Sequence, residues 1–213
     1  LKDLDHALGL IEAVVAAVDL PVTLKTRLGW DDALLNAAEL ATRAENAGIQ
    51  MMTIHGRTRC QFYKGHADWA AIRAIKDAVR IPVIANGDII DANSARKALA
   101  LSGADGVMVG RGCQGKPWLL AQIASELYGL PEPSVPTGSA LVEMVQKHYA
   151  DMLDFYGEML GARVARKHLG WYMDGQGTGA KLRRAVLTCT DVTEVMDLLE
   201  AALMPDHNTS EVA

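Results

Sequence analysis

IPVIANGDIIDANSARKALALSGADGVMVGR, residues 81–111, carries two short apolar runs, each followed by a polar turn that contains glycine. Pro82-Val83-Ile84-Ala85 reads as one strand and Gly106-Val107-Met108-Val109 as the next. Strands buried on both faces are apolar throughout and do not alternate. Asp91 stands where a helix N-cap belongs and Gly103 where a C-cap belongs, so a helix is expected to cross between the two strands. A strand–helix–strand unit of this length implies parallel pairing with a right-handed crossover.

The same signals repeat upstream. Residues 4–18 have helical apolar spacing, and Val22–Arg27 reads as a strand. Asp31 or Asp32 is expected to cap a helix running to about Ala47 and stopping at Gly48. Met51–His55 reads as a strand and residues 68–79 as a helix, with Trp69, Ile72, Ile75 and Val79 on one side. Pro117 suits the first turn of the helix after the fourth strand. Leu20-Pro21-Val22 matches Ile81-Pro82-Val83, and Ala47-Gly48-Ile49 matches Ser102-Gly103-Ala104. A repeated two-strand unit favours a barrel built from quarters, and no GxGxxG follows a strand, which weakens a Rossmann reading.

The fold class expected is therefore α/β: the C-terminal half of a (β/α)8 barrel, followed by a small all-α helical bundle. A whole barrel takes about 250 residues and eight such units. Four are present and the first residue is Leu1, so the N-terminal half is expected upstream. Residues 1–128 form the partial barrel. Residues 129–138 (GLPEPSVPTG) form a linker, residues 139–204 a helical domain, and residues 205–213 a loose tail. In the helical domain Leu141, Met144, Val145 and Met152 make one apolar stripe. Val192, Val195, Met196, Leu199 and Leu203 make another.

The formal net charge of −5 gives no whole-chain signature of nucleic-acid binding. Three scattered cysteines (Cys60, Cys113, Cys189) argue against a disulfide framework and a zinc finger. No apolar run approaches the roughly 20 residues of a membrane span. A cytoplasmic protein that binds neither metal nor membrane is expected.

Barrel active sites lie at the C-terminal ends of the strands. Those ends carry Lys25 and Arg27, His55 and Arg57, Asn86-Gly87-Asp88, and Gly110-Arg111. Backbone N–H groups at a glycine turn and a guanidinium beside it suit a phosphate. Lys25, in an apolar strand, either snorkels to the rim or faces a ligand whose negative charge it stabilises. Cys113 has no evident base beside it and reads as packing. Between Arg163 and Arg184 there are six basic residues (Arg163, Arg166, Lys167, Lys181, Arg183, Arg184) and one acid, Asp174, with His168, Trp171 and Tyr172 interleaved. Basic and aromatic residues together suit an RNA backbone and unstacked bases; a solvated helix face has the same composition.

PVTLKTRLGW (21–30), TIHGRTRCQFYKGHADW (53–69), IPVIANGDI (81–89), GADGVMVGRGCQGKPW (103–118) and ARKHLGWY (165–172) together resemble the tRNA-dihydrouridine synthase family, most closely its bacterial B-type branch. The resemblance implies an FMN-holding barrel followed by a helical tRNA-binding domain, and reduction of a tRNA uridine to 5,6-dihydrouridine with NADPH as reductant. It implies that Lys25 and His55 contact the flavin ring region, and that Asn86, Gly87, Asp88, Gly110 and Arg111 hold the FMN phosphate. Arg57 and Arg59 would lie near the RNA entrance. Arg166, Lys167 and His168 would face the tRNA, and Arg163, Lys181 and Arg184 belong to the same basic region. The family's proton donor is a cysteine in an N-M-G-C-P-like motif, which does not occur here. The catalytic residue is thus expected upstream, and this chain alone is expected to be inactive. Two other readings remain: an FMN- or phosphate-binding barrel oxidoreductase acting on a small molecule, and a non-catalytic RNA-binding remnant.

Overall fold

A computed structural model describes residues 1–204. The tail expected over 205–213 lies outside the described residues. The chain divides into two compact units: Leu1–Gly112 with Leu119–Pro131, and Cys113–Trp118 with the chain from Glu132 onward.

The first unit is an α/β layer. Helices α1 (Leu4–Ala17), α2 (Ala37–Asn46), α3 (Arg73–Ala78), α4 (Ala92–Ser102) and α5 (Leu119–Tyr128) alternate with strands β1 (Thr23–Arg27), β2 (Met51–His55), β3 (Val83–Asn86) and β4 (Gly106–Met108). The strands form one parallel sheet in the order β1-β2-β3-β4. Alternate residues point to opposite faces of a strand. Met52, Ile54, Val83 and Ala85 turn to one side and pack with Leu40, Ala41, Ala44, Ile72 and Ile75 in the main core. Lys25, Arg27, Thr53, His55, Ile84, Asn86 and Met108 share the other face, by the pairing register. The central strands are more buried than the outer ones: β2 is buried at four of five positions, whereas Thr23 and Met108 are exposed.

Local chemistry sets the boundaries. Asp91 accepts from the Ser94 N–H and Ser94 reciprocates, a capping box at the start of α4, which Gly103 ends with φ of 64°. Asp3 likewise caps α1 through the His6 N–H. The largest departure is α2. It begins at Ala37 after Asn36, not after Asp31 or Asp32. Residues 29–36 fold back on themselves: Trp30 N–H bonds to the Leu34 carbonyl and Leu34 N–H to that of Asp31. A side chain at Gly29 would collide with the Leu34 carbonyl oxygen, so the glycine permits the loop. Residues 68–79 form a 3-10 turn at Ala70–Ile72 before α3. Trp69 packs against the core that holds Ile72, Ile75 and Val79, as the spacing predicts, and donates its indole N–H to the Gly87 carbonyl at 2.8 Å. Pro117 precedes α5 by two residues instead of opening it.

The second unit is helical: α6 (Gly138–Tyr156), α7 (Glu158–Gln176), α8 (Ala180–Thr188) and α9 (Val192–Leu203). Leu141, Val145, Tyr149 and Met152 of α6 meet Ala165, Leu169 and Met173 of α7 and Val195, Leu199 and Leu203 of α9. A Cβ on Gly161 would approach the Met152 carbonyl oxygen to 2.6 Å, so glycine lets α6 and α7 close together. Cys113–Trp118 belongs to this unit and not to the α/β layer where the sequence put it. The indole of Trp118 packs on the helical core, and Gly115 touches the Trp171 backbone.

Candidate functional site

The C-terminal ends of β1, β2 and β3 converge. The register aligns Arg27 with His55 and His55 with Asn86. Lys25 is therefore level with Thr53, one pleat below His55.

Arg57 differs most from its expected place. The sequence puts it near an RNA entrance; its side chain is 2% exposed. All five guanidinium N–H groups are engaged. Nε donates to the Lys64 carbonyl, Nη1 to Asp88 Oδ1 (2.9 Å) and His55 Nε2 (3.2 Å), and Nη2 to Asp88 Oδ2 (2.6 Å) and the Gly65 carbonyl (2.8 Å). A saturated, buried guanidinium offers nothing to a ligand. It braces the β2 end, the 58–65 loop and the β3 turn as one piece. Removing one partner of such a pair strands the other charge, at about 3–5 kcal/mol.

Asp88 is held from the other side by the Ala67 N–H at 2.7 Å, and Arg111 lies 3.8 Å from its Oδ1. Its pKa is lowered: burial opposes ionisation, but the Arg57 bonds, the Ala67 N–H and Arg111 outweigh it. The carboxylate thus organises the turn. Gly87 (φ 111°) and Asp88 (φ 54°) both take left-handed backbone, and a Cβ at Gly87 would lie 2.8 Å from His55 Cδ2 and 2.9 Å from Nε2. Glycine there is what lets the imidazole sit against the turn. The Asn86 side chain donates to the Met108 carbonyl at 2.8 Å and ties β3 to β4.

His55 is 8% exposed. Its pKa is pushed down to about 4, first by burial, then by Arg27, Lys25 and Arg57, with Asp88 opposing. It is neutral at pH 7. The Lys25 pKa is also lowered, by burial and then by Arg27. Lys25, Arg27, Arg57 and Arg111 gather here against one carboxylate, and this cationic excess suits an anion. Arg111 is exposed, and a Cβ at neighbouring Gly110 would meet no atom within 4 Å, which leaves room for close approach to the backbone. Among the described residues no group of three His, Cys, Asp or Glu side chains could hold a metal ion, and no helix is long and apolar enough to cross a membrane.

The 58–65 loop brings a residue the sequence reading passed over. Tyr63, 60% exposed, lies with the Arg111 guanidinium 4.5 Å and the Arg27 guanidinium 5.5 Å from its ring centre. Arg27 also donates to the carbonyls of Thr58 and Phe62, both at 2.8 Å. The signal available was density: three aromatic and three basic residues between Arg57 and Trp69. Arg59 is exposed beside Phe62, 4.4 Å from its ring centre.

In the helical unit Arg163, Arg166 and Lys167 are exposed on α7, and Lys181 and Arg184 on α8. Among the described residues none of these five makes an ion pair, whereas Arg183 pairs with Asp174 at 2.8 Å. His168 is half-buried, edge-on to His148 and Trp171 at 5.3 and 5.0 Å.

A family model described as dihydrouridine synthase matches residues 1–207. A probable tRNA-dihydrouridine synthase of Rhodobacter capsulatus is 58% identical over 202 residues, covering 95% of this chain and 62% of that protein. The corresponding protein of Rickettsia conorii is 51% identical over 197 residues (92% and 60%). The tRNA-dihydrouridine synthase B of Yersinia pestis is 45% identical over 193 residues (90% and 60%). The chain thus spans about 60% of the length of these relatives. With the family model matched across almost all of its residues, the chain belongs to the dihydrouridine synthase family.

Proposed function

We propose that the chain is the C-terminal part of a tRNA-dihydrouridine synthase, a cytoplasmic enzyme that reduces uridine in tRNA with FMN and NADPH. The observation that carries this reading is the cationic strand-end rim around a neutral, buried His55. FMN, when bound, supplies the hydride for one carbon of the uracil double bond. The turn at Gly87-Asp88, the close approach that Gly110 allows and the exposed Arg111 would hold its phosphate. Lys25 and His55 would face the ring region, where Lys25 stabilises negative charge. Arg57 holds the rim in shape. Arg59 and the exposed cations of α7 and α8 would bind phosphates of the tRNA, and these contacts offset the cost of drawing a uridine out of its stack.

The parallel sheet is proposed as half of a (β/α)8 barrel. Its terminal helices support this: α1 exposes Leu10 and Val14, and α5 exposes Leu120, as elements awaiting neighbours do. The acid that completes the reduction is assigned to a cysteine outside residues 1–213. Cys189 is a poor candidate: its thiol lies 3.3 Å from the Glu194 carboxylate and its pKa is raised.

The test is liquid-chromatography mass spectrometry of undermodified tRNA incubated with NADPH. The full-length protein should add two hydrogens to specific uridines, and residues 1–213 alone should add none. Turnover of a small flavin substrate with no change in tRNA would favour the small-molecule oxidoreductase instead.

A further inference from the structure

The Arg57–His55 contact carries more than bracing. A guanidinium can donate and cannot accept. Its Nη1 lies 3.2 Å from His55 Nε2, so that nitrogen must present its lone pair. Turning the ring over would place carbon there, leaving the Arg57 N–H without an acceptor in a buried site. We propose that Arg57 is a positioning residue that fixes His55 as a neutral imidazole with its proton on Nδ1. Through Nδ1–H, His55 then meets a ligand as a donor to a carbonyl or ionised-imide oxygen, not as an acid or a proton acceptor.

Three observations support this. Among the described residues the ring makes no other hydrogen bond, so Nδ1–H has no protein partner. The Cδ2–Nε2 edge occupies the space that a Cβ on Gly87 would need, so the ring is seated with that edge against the turn. The charged groups around the ring are Lys25 and Arg27 from β1, Arg57 from the loop after β2, and Asp88 from the β3 turn. Three of the four are cations, and the carboxylate is engaged by Arg57 and Ala67. The field thus opposes an imidazolium and draws acceptor oxygens to the site. The inference deepens the functional reading and rests on it only for the ligand's identity.

The experiment is nitrogen-15 NMR of the full-length, flavin-free protein with labelled histidine, His55 being assigned by His55→Gln. At neutral pH, Nδ1 should resonate as a protonated, pyrrole-type nitrogen and Nε2 as a pyridine-type one. In Arg57→Met the ring should shift toward the Nε2–H form that free imidazoles of histidine prefer. Arg57→Lys, which keeps a donor, should restore Nδ1–H. An Nε2–H ring or an imidazolium in the wild type overturns the proposal, as does an unchanged tautomer in Arg57→Met. Should Arg57→Met fail to fold, the wild-type spectrum decides alone. The spectrum is taken without flavin, so a protein that failed to bind FMN would refute the functional reading and leave this result standing.

Discussion

The α/β unit and the helical unit hold their cations in opposite ways. At the strand ends, Arg57 is buried with all five N–H groups bonded, and Lys25, though exposed, has its pKa lowered by desolvation and then by Arg27. On α7 and α8, Arg163, Arg166, Lys167, Lys181 and Arg184 stand in solvent without ion pairs among the described residues. The contrast separates two kinds of recognition. Buried, bonded charge fixes geometry, and its removal costs folding energy. Exposed charge costs little to keep or remove, and acts on a polyanion through counterion release. On the proposed function, one chain pairs a rigid small-ligand site with an adaptable electrostatic surface.

The largest effect expected is from Asp88→Ala. It leaves Arg57 buried without its carboxylate and should destabilise the α/β unit by about 3–5 kcal/mol in urea titration. A loss under about 1 kcal/mol would mean the strand-end charges are solvated after all. Next is Arg166→Glu with Lys167→Glu. Two lost phosphate contacts should weaken tRNA binding by about tenfold or more and flatten its salt dependence. Folding should change by less than about 0.5 kcal/mol. Unchanged affinity would confine RNA recognition to other residues.

His55 adds a pH dependence. Its pKa is about 4 when folded, against 6.5 for a free histidine. Between these values the unfolded chain binds more protons than the folded one, so stability falls as pH drops from about 6.5 toward 4. The loss, discounted for solvent screening, is about 1–2 kcal/mol. His55→Gln should remove that part of the pH dependence. The smallest effect is from Lys147→Ala, which breaks an exposed pair with Asp151 four residues on and should cost about 0.3–0.5 kcal/mol.

The alternation of strands and helices was legible because it rests on local signals. Asp91 and Gly103 are adjacent in sequence to the helix they bound, and apolar runs show buried strands directly. Asp31 and Asp32 misled because an acidic pair before a helical pattern resembles a cap; the turn that displaces the helix start depends on Gly29 meeting Leu34. The register that sets Lys25 level with Thr53 was not legible, because register is a pairing property that neither strand contains by itself. Arg57 misled most. The sequence set it at a strand end, and the family resemblance put it near an RNA entrance. Its acceptors come from His55, two loop carbonyls and Asp88, the last of them 31 positions away, and only the folded chain brings them together. The exposed cations of α7 were legible because helical spacing alone puts residues three and four apart on one side.

The strand-end rim as a built phosphate site is tested most directly by the affinity of the full-length protein for FMN against riboflavin, which differs by the phosphate alone. The account predicts that FMN binds at least about tenfold more tightly, and that Arg111→Ala removes most of that difference while leaving riboflavin affinity unchanged. Equal affinities for the two flavins, or a preference for FMN that survives Arg111→Ala in full, would contradict it.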